Sequence, residues 1–180
     1  MSPRLNSREI ILKAAEDVVF EVGAAHMTLD AVAKKAGISK GGLIYNFPNK
    51  DALLQAMIKR MVERFNKSRE KMREKIKNKP YREIEAHVRS FLDIGPKTDR
   101  LAAALLAAMA HNPKLLDPVR DEYKKLLENV TSGGIKVERA TVVAFATDGL
   151  KLMEMLGLSP LSKKQRKAVI EEMIKIAKES

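Results

Sequence analysis

Residues 27–50 read MTLDAVAKKAGISKGGLIYNFPNK, and this stretch decides the fold. Thr28 is placed to cap a short helix that Gly37 ends, and Ser39 is placed to cap a second short helix directly afterwards. Two short helices around a tight turn form a helix-turn-helix. The second helix opens with Lys-Gly-Gly, which has little side-chain bulk, so its first turn can approach another surface closely. We therefore expect double-stranded DNA to be the partner of this stretch.

The composition describes a foldable and basic chain. Of 180 residues, 45% are hydrophobic and 32% are charged, which is typical of packed globular proteins. The net charge of +11 is uneven: residues 1–79 carry 17 Lys/Arg and 9 Asp/Glu, net +8, and the remainder carries 17 and 14, net +3. A positive excess beside the helix-turn-helix favours a polyanion, because neutralised phosphates release counterions and so contribute affinity.

Several classes of function are disfavoured by what the sequence lacks. The absence of cysteine excludes disulfides, thiolate metal sites and cysteine nucleophiles. With three histidines, no close His/Asp/Glu spacing, no Ser/His/Asp grouping and no phosphate loop, we expect no enzyme activity, no metal site and no cofactor. The start, MSPRLN, lacks the apolar core of a signal peptide, and the longest apolar run, residues 101–110, is far shorter than the ~20 residues of a spanning helix. We expect a cytoplasmic protein that does not cross a membrane.

Helical periodicity runs through nearly the whole chain and predicts an all-α fold of about nine helices. The first helix begins near Asn6 or Ser7 and is expected to end at Gly23. A long helix opens at Asn49, and its charged part beyond Phe65 is expected to be mostly solvated. Further helices are expected at 80–94, 98–110, 113–130 and 138–156, followed by a last helix that starts at a Ser162/Gln165 capping box.

The segment 140–147 carries no charged residue, so its helix is either buried on all sides or covered by another subunit. Together with the last helix it offers two adjacent apolar helices, which is half of a four-helix bundle. We take a homodimer interface as the working hypothesis, with these residues in it: Val142, Phe145, Leu152, Val169, Met173 and Ile176.

Beyond the helix-turn-helix, REIILKAA at 8–15, Phe20, Gly23 and KDALL at 50–54 complete a spaced pattern over roughly the first third of the chain. This pattern resembles the tetracycline-repressor (TetR/AcrR-type) transcriptional regulators. The resemblance implies homodimers in which an N-terminal three-helix module, here 5–65 with its helix-turn-helix at about 28–47, reads one major groove. It implies that the C-terminal helical domain, here 66–180, dimerises and usually binds a small inducer.

The expected DNA-contacting residues lie on and around the second helix of the motif. Lys40 can reach a guanine edge or a phosphate, and Asn46 can pair with adenine or simply end the helix. Each glycine costs a helix interior ~1 kcal/mol relative to alanine, which close approach to DNA would offset, although first-turn glycines are also tolerated without such a reason. Many relatives carry Tyr where Ile44 stands, so Tyr45 is expected to take part of the phosphate contact. The full set is Thr28, Ser39, Lys40, Gly41, Gly42, Tyr45, Asn46 and Lys50, of which Thr28 and Lys50 also make sense as residues that start helices.

Soft apolar and aromatic side chains recur through the C-terminal part and are candidates for the wall of an effector pocket. The alternative for each is an ordinary core residue and, for the two histidines, a surface or satisfied imidazole. The candidates are Met57, Met61, Phe65, His87, Phe91, Met109, His111, Tyr123 and Phe145.

These observations lead to one functional hypothesis and two rivals. The hypothesis is a ligand-responsive homodimeric repressor of a pseudo-palindromic operator, in which a small hydrophobic effector alters the spacing of the two reading helices. The first rival is a basic architectural protein that coats DNA without sequence preference. The second rival is an enzyme or carrier that uses an apolar cavity of the C-terminal part.

Overall fold

The computed structural model describes residues 6–76, 79, 81–92 and 94–178. The secondary structure of these residues is helical and contains no strand. This confirms the predicted all-α fold of about nine helices. In chain order the described helices are α1 Ser7–His26, α2 Leu29–Ala36, α3 Lys40–Asn46, α4 Lys50–Lys75, α5 Arg82–Leu92, α6 Pro96–His111, a 3-10 helix Pro113–Leu116, α7 Asp117–Ser132, α8 Val137–Met155 and α9 Lys163–Lys178.

The predicted caps of the helix-turn-helix are confirmed. The Thr28 hydroxyl accepts a hydrogen bond from the Ala31 N–H at 3.1 Å, and α2 then ends at Gly37, whose φ of +67° suits glycine. The Ser39 hydroxyl accepts from the Gly42 N–H at 3.1 Å and so starts α3. Local hydrogen bonding therefore fixes both ends of the turn.

One predicted helix boundary is confirmed and another is wrong. Gly23 breaks the helical backbone with a φ of +80°, where the first helix was predicted to end, and a short helical turn follows it up to His26. The single helix predicted over 113–130 is wrong. The Asn112 side chain caps a 3-10 turn by accepting from the Lys114 N–H, and α7 starts only at Asp117. Pro118, which has no N–H, fits the first turn of α7, where that donor has no helical partner.

The described residues form two compact units. The first comprises those up to Met61 together with Lys97–Val119, and the second comprises those in Val62–Pro96 and from Arg120 onward. In the first unit, α1, α2, α3 and the start of α4 share one core with α6, which contributes Leu101, Leu105 and Met109. The inclusion of α6 in this core was not indicated by the sequence pattern.

The second unit packs α5, α7, α8 and α9 around its own core, which includes Ile84, Val88, Leu126, Val143 and Ile174. The later part of α4 belongs to this unit. None of its residues 66–75 is buried, as expected, but on one face Asn66 and Arg69 reach the carboxylate of Glu122. No described helix combines the length and apolarity needed to cross a bilayer.

Candidate functional site

The short helix α3 has one anchored face and one open face. Leu43 and Phe47 are fully buried in the core of the first unit, which holds the helix in place. On the other side Ile44 is 40% exposed and Tyr45 is 91% exposed. A rigidly seated helix therefore presents a large aromatic side chain to solvent.

The two glycines of α3 differ in what surrounds them. A Cβ added at Gly42 would lie 3.3 Å from the Ser39 hydroxyl oxygen that caps the helix. Close packing within the chain therefore explains a glycine at this position. A Cβ added at Gly41 would meet nothing within 4 Å. The fold of the chain itself thus accommodates alanine at 41, although the helix contains glycine there.

Lys40 begins α3 and forms an ion pair with Asp30, with 3.0 Å between Nζ and Oδ2. Both side chains are more than half exposed, and exposed pairs of this kind contribute only ~0–1 kcal/mol. Lys40 can therefore exchange Asp30 for another acceptor at small cost. Asp30 was missed by sequence reasoning, and its only signal was an acidic residue in the first turn of α2.

Asn46 and Lys50 are engaged within the chain. The Asn46 amide donates to the Gly42 carbonyl at 2.9 Å, and the Lys50 ammonium donates to the Ala25 carbonyl at 2.7 Å. Arg8, also missed from the sequence, lies with its guanidinium 4.4 Å from the centre of the Phe47 ring and donates to the Asn46 carbonyl at 3.4 Å. Arg8 thereby places a positive charge at the C-terminal end of α3, where the helix dipole favours it.

The residues proposed for an effector pocket are divided between the two units. Met57, Met61 and Met109 are buried core residues of the first unit, which also contains the exposed His111. Phe65, His87, Phe91 and Tyr123 belong to the second unit. Phe145 also belongs to that unit, but it is 63% exposed and faces solvent. We therefore correct its assignment as a pocket wall and keep it as a surface residue.

The second unit does bring several of these residues together in what we call the polar cluster: Phe65, Asn66, Arg69, His87, Phe91 and Glu122. The Phe65 and Phe91 rings lie 5.0 Å apart between centroids, and the His87 ring stacks on Phe91 at 5.5 Å. Glu122 accepts from Asn66 at 2.7 Å and from Arg69 at 2.5 Å. The next residue, Tyr123, donates its hydroxyl proton to Asp148 Oδ2.

Besides Arg73, two side chains of the second unit have buried atoms that lack a hydrogen-bond partner, His87 in the polar cluster and Asp148 beside Tyr123. His87 is 7% exposed and its Nε2 is unpartnered; burial, followed by the nearby charge of Arg69, lowers its pKa to about 4. The Oδ1 of Asp148 is also buried and unpartnered, and burial raises the pKa of this carboxyl to about 7. His87 is therefore neutral at pH 7, whereas Asp148 is close to its midpoint.

The sequence indicated part of this polar cluster but not Asn66, Arg69 and Glu122, and it did not indicate Asp148. The available signal was the helical spacing of Phe65 and Arg69, four residues apart on α4 and so on one face. The link from α7 to α8 through Tyr123 and Asp148 had no local signal, because these residues are 25 positions apart.

The apolar surface of the second unit follows α8. Val142 is 59% exposed, Phe145 63% and Leu152 43%, and Ile176 of α9 is 36% exposed. Gly149 lies on the same face of α8, and an added Cβ there would meet nothing within 4 Å. Of the two alternatives for α8, burial on all sides within its own chain is thus excluded, and cover by another subunit stays a prediction.

One residue assigned to the dimer interface lies elsewhere. Met173 is 7% exposed and belongs to the core of the second unit, where the Thr147 hydroxyl contacts its sulfur at 3.8 Å. We correct its assignment, since a side chain that packs inside its own chain has little surface left for a partner. Val169 is half-buried against the same core, and its place in the interface stays a prediction.

Two models of known protein families match this chain. The model described as "Bacterial regulatory proteins, tetR family" matches residues 11–57, and "Tetracyclin repressor-like, C-terminal domain" matches residues 82–178.

Similar curated proteins include the HTH-type transcriptional regulator BetI of Stenotrophomonas maltophilia (strain R551-3), 28% identical over 126 residues, which are 68% of this chain and 64% of that protein. Another is the HTH-type transcriptional regulator RutR of Escherichia coli (strain K12), 29% identical over 124 residues, or 67% and 57% of the two chains. The matches thus span less than two thirds of the length of these relatives.

Among solved structures, a member of the TetR family from Streptomyces coelicolor A3 superimposes with a TM-score of 0.74. The match covers 93% of this chain and 98% of that one at 21% sequence identity. At this level of identity the likeness shows a shared fold.

Proposed function

Because this chain belongs to the TetR family of bacterial regulatory proteins, we propose that it is a DNA-binding transcriptional regulator that acts as a homodimeric, ligand-responsive repressor. Its target in this proposal is a pseudo-palindromic operator, which places the protein in the cytoplasm and gives it no catalytic role. The observation that carries the proposal is the open face of α3, where Tyr45 is 91% exposed and a Cβ added at Gly41 would meet nothing within 4 Å.

The proposed reading surface follows from that face. An α-helix fits the major groove of B-form DNA, and its N-terminal residues then lie nearest to the base edges. Gly41 allows the backbone of α3 to approach the bases, and Lys40 exchanges Asp30 for a guanine edge or a phosphate. The hydroxyl of the exposed Tyr45 is free to bond a phosphate oxygen. Gly42 and the capping residues Thr28 and Ser39 fix the register of α3 against the DNA.

DNA contacts by Asn46 and Lys50 would each require the loss of a hydrogen bond within the chain. Asn46 reads adenine only by giving up its bond to the Gly42 carbonyl, and Lys50 reaches a phosphate only by leaving the Ala25 carbonyl. A bond to a charged phosphate is stronger than one to a neutral carbonyl, so the exchange is favourable for Lys50. Asn46 exchanges one neutral hydrogen bond for two neutral hydrogen bonds to adenine. Its contribution to affinity therefore depends on the base sequence of the DNA.

The proposed dimer interface is the exposed apolar face of α8, extended by Ile176 of α9. Val142, Phe145 and Leu152 recur at intervals of three and seven residues, so they form one stripe along the helix. A two-fold axis through this stripe would bury each side chain against a second copy, and Gly149 would let the two helices approach closely. Two helices from each copy would then form a four-helix bundle.

Ligand response, in this proposal, starts in the second unit. The chain passes between the two units at residues 61–62, 96–97 and 119–120, so a rearrangement of the second unit can reach the first through three covalent connections. An effector shifts the spacing of the two reading helices only if it binds the DNA-competent and DNA-incompetent states with different affinities.

Selection of bound duplexes from a random pool tests the proposal. We expect an inverted repeat whose half-sites lie one helical turn apart, about 34 Å between centres, and a preference of at least ~10³ over unrelated duplex. Recovery of no consensus, with equal binding to all duplexes, would favour the architectural alternative, which the net charge of +11 alone could support.

A further inference from the structure

We infer that Arg8 of α1 binds a phosphate of the DNA backbone beside the C-terminal end of α3. The inference rests on the proposed function and deepens it, because it adds a DNA contact from a helix outside the helix-turn-helix. Its basis is that one guanidinium contacts both Asn46 and Phe47, while its contacts with the described residues include no carboxylate.

The first turn of α1 fixes where Arg8 lies. The Asn6 side chain caps α1 by accepting a hydrogen bond from the Arg8 N–H at 3.2 Å. The guanidinium then lies 4.4 Å from the centre of the Phe47 ring, and Phe47 itself is 1% exposed. The face of an aromatic ring attracts a cation, so the buried ring holds the guanidinium in place. Arg8 is therefore positioned beside α3 within the first unit of the chain.

Most of the hydrogen-bonding capacity of Arg8 is left over in this position. A guanidinium has five N–H donors, and this one makes a single hydrogen bond with the described residues, from Nη1 to the Asn46 carbonyl at 3.4 Å. That distance exceeds the usual range of about 2.7–3.2 Å for such bonds, so this bond is weak. Arg8 is an exposed residue, and its remaining donors can bond a partner from outside the chain.

The charge of Arg8 also lacks the compensation that other basic side chains of the first unit have. Several of these form ion pairs with carboxylates, namely Lys35 with Glu21, Lys40 with Asp30 and Arg60 with Glu9. The side chain of Arg8 contacts only a neutral carbonyl and a neutral ring among the described residues. Its neighbour Glu9 is already paired with Arg60 at 3.1 Å. An anion is therefore the partner that the charge of Arg8 favours.

The position of Arg8 relative to α3 favours the DNA backbone over a base. With seven residues α3 is about 10 Å long, which is less than the ~12 Å width of the major groove, so both of its ends come near the phosphates that line the groove. The N-terminal residues of α3 face the bases, and Arg8 lies at the opposite end. A guanidinium binds a phosphate through two parallel hydrogen bonds.

The salt dependence of DNA binding by the full chain tests this contact. Each neutralised phosphate contributes about 0.9 to the slope of log affinity against log salt concentration, so the two copies of Arg8 in a homodimer contribute about 1.8. Arg8→Met removes the charge and keeps an unbranched apolar side chain over Phe47. Fluorescence anisotropy is expected to show a slope about 1.8 smaller in magnitude, and roughly 10- to 100-fold lower affinity at about 0.1 M salt on operator and random duplex alike.

Two matched variants locate the effect. Lys13→Met removes the same charge from an exposed position of α1 that lies five residues further along and so on another face, and it should leave the slope unchanged. Arg8→Lys keeps the charge but not the planar fork, so it should keep the slope and lose less than tenfold in affinity. If Lys13→Met or Arg8→Lys lowers the slope as much as Arg8→Met does, the inference is overturned.

A purely structural role of Arg8 predicts a different result. If Arg8 only held the end of α3, Arg8→Met would displace α3 and weaken binding to operator more than to random duplex, with the salt slope unchanged. That result would overturn the phosphate contact. Urea unfolding shows that the compared samples are folded. Arg8→Gln keeps a donor for the Asn46 carbonyl, and it is expected to lower the slope equally and to replace Arg8→Met if that variant does not fold.

The unmodified chain separates this inference from the proposed function. If it selects an operator and the variants without a charge at position 8 keep its full salt slope, the phosphate contact is refuted and the regulator stands. If it selects no operator but Arg8→Met still lowers the slope on random duplex, the phosphate contact stands and the proposed sequence-reading regulator is refuted.

Discussion

The two units differ in where they hold groups that their own folds do not explain. In the first unit such groups are on the surface: Tyr45 is almost fully exposed, and Gly41 occupies a helix position that has room for a side chain. In the second unit they lie both on the surface, along the exposed stripe of α8, and inside, at the unpartnered atoms of His87 and Asp148. An exposed surface suits a large partner, and buried unpartnered atoms suit a small one. Under the proposed function, DNA binds the first unit, and a second copy and the effector bind the second.

The buried charges of the first unit support this contrast. Glu16 is 2% exposed, and Arg60 lies 3.8 Å from it and 3.1 Å from Glu9. One nitrogen of Arg60, Nη1, has no partner, but the guanidinium still forms two ion pairs. Buried charge is thus compensated inside the first unit, whereas the carboxyl of Asp148 has only a neutral hydroxyl beside it.

The largest effect is expected from Phe145→Glu. This substitution would disrupt the proposed dimer, whose interface is the exposed stripe of α8. A carboxylate in the centre of an apolar interface cannot be desolvated without an opposite charge. We expect monomers in sedimentation velocity and a loss of operator affinity of about 10²-fold or more, because two linked half-site contacts become one.

Asn129→Glu adds the same charge at an exposed position of α7 and should leave the dimer intact. An undisturbed dimer in the Phe145→Glu variant would show that the interface lies elsewhere, and the exposed stripe of α8 would need another explanation.

The next largest effect concerns base reading by the first unit. Lys40→Ala is expected to weaken operator binding by about 5- to 150-fold, which corresponds to ~1–3 kcal/mol for a base contact, and to weaken binding to random duplex much less. Lys50→Ala is the comparison, since a phosphate contact should lower affinity on every duplex equally and flatten the salt dependence. Gel-shift titrations over a range of salt concentrations measure both effects. Equal losses of Lys40→Ala on operator and random duplex would remove it from the base-reading set.

A smaller effect is expected from Gly41→Ala, and it has opposite signs for folding and for binding. The added methyl meets nothing within 4 Å in the free protein, so better helix propensity should stabilise the fold by up to ~1 kcal/mol. On DNA the same methyl occupies the space between the α3 backbone and the bases, and we expect a roughly tenfold loss of operator affinity. Chemical unfolding and gel shift on one preparation test both signs. Retention of full affinity would mean that Gly41 is merely tolerated in the first turn.

How far the sequence predicts this molecule depends on the range of the interaction involved. The caps at Thr28, Ser39 and Ser162 were predicted correctly, because a cap is a hydrogen bond to a residue three positions away. The packing of α6 in the core of the first unit was not predicted, because an apolar face specifies that a helix is buried and not which helix covers it.

The same limit applies to the candidate sites. The reading helix was found from its own residues, but its contacts with Arg8 and Asp30 come from other helices. Met173 was misplaced because a stripe on α9 looks the same whether it faces its own chain or a second copy. Asp148 was missed altogether, since a single acidic residue in an apolar helix gives no sign that one of its oxygens is left without a donor.

The smallest effect is a pH dependence of stability, which tests the burial of His87 and Asp148 in the second unit. His87 has a pKa of about 4 in the fold against 6.5 when free, so the unfolded chain takes up its proton first and this contribution to stability is lost as pH falls below about 6.5. Asp148 has a pKa of about 7 against 3.8, so the folded chain retains a proton and stability is lost as pH rises from about 4 to 7. Between pH 5 and 6.5 the two slopes oppose each other.

Substitution of either group should therefore reveal how the other group alone makes stability depend on pH. Relative to the unmodified chain, Asp148→Asn should lose stability toward acid by on the order of 1 kcal/mol per pH unit, and His87→Phe should gain it by a similar amount. Urea unfolding at several values between pH 5 and 6.5 measures these differences, and exposed carboxylates cancel because they titrate in every variant. Parallel curves of stability against pH for all three proteins would mean that solvent reaches both groups. His87 and Asp148 would then not be desolvated polar groups of the interior.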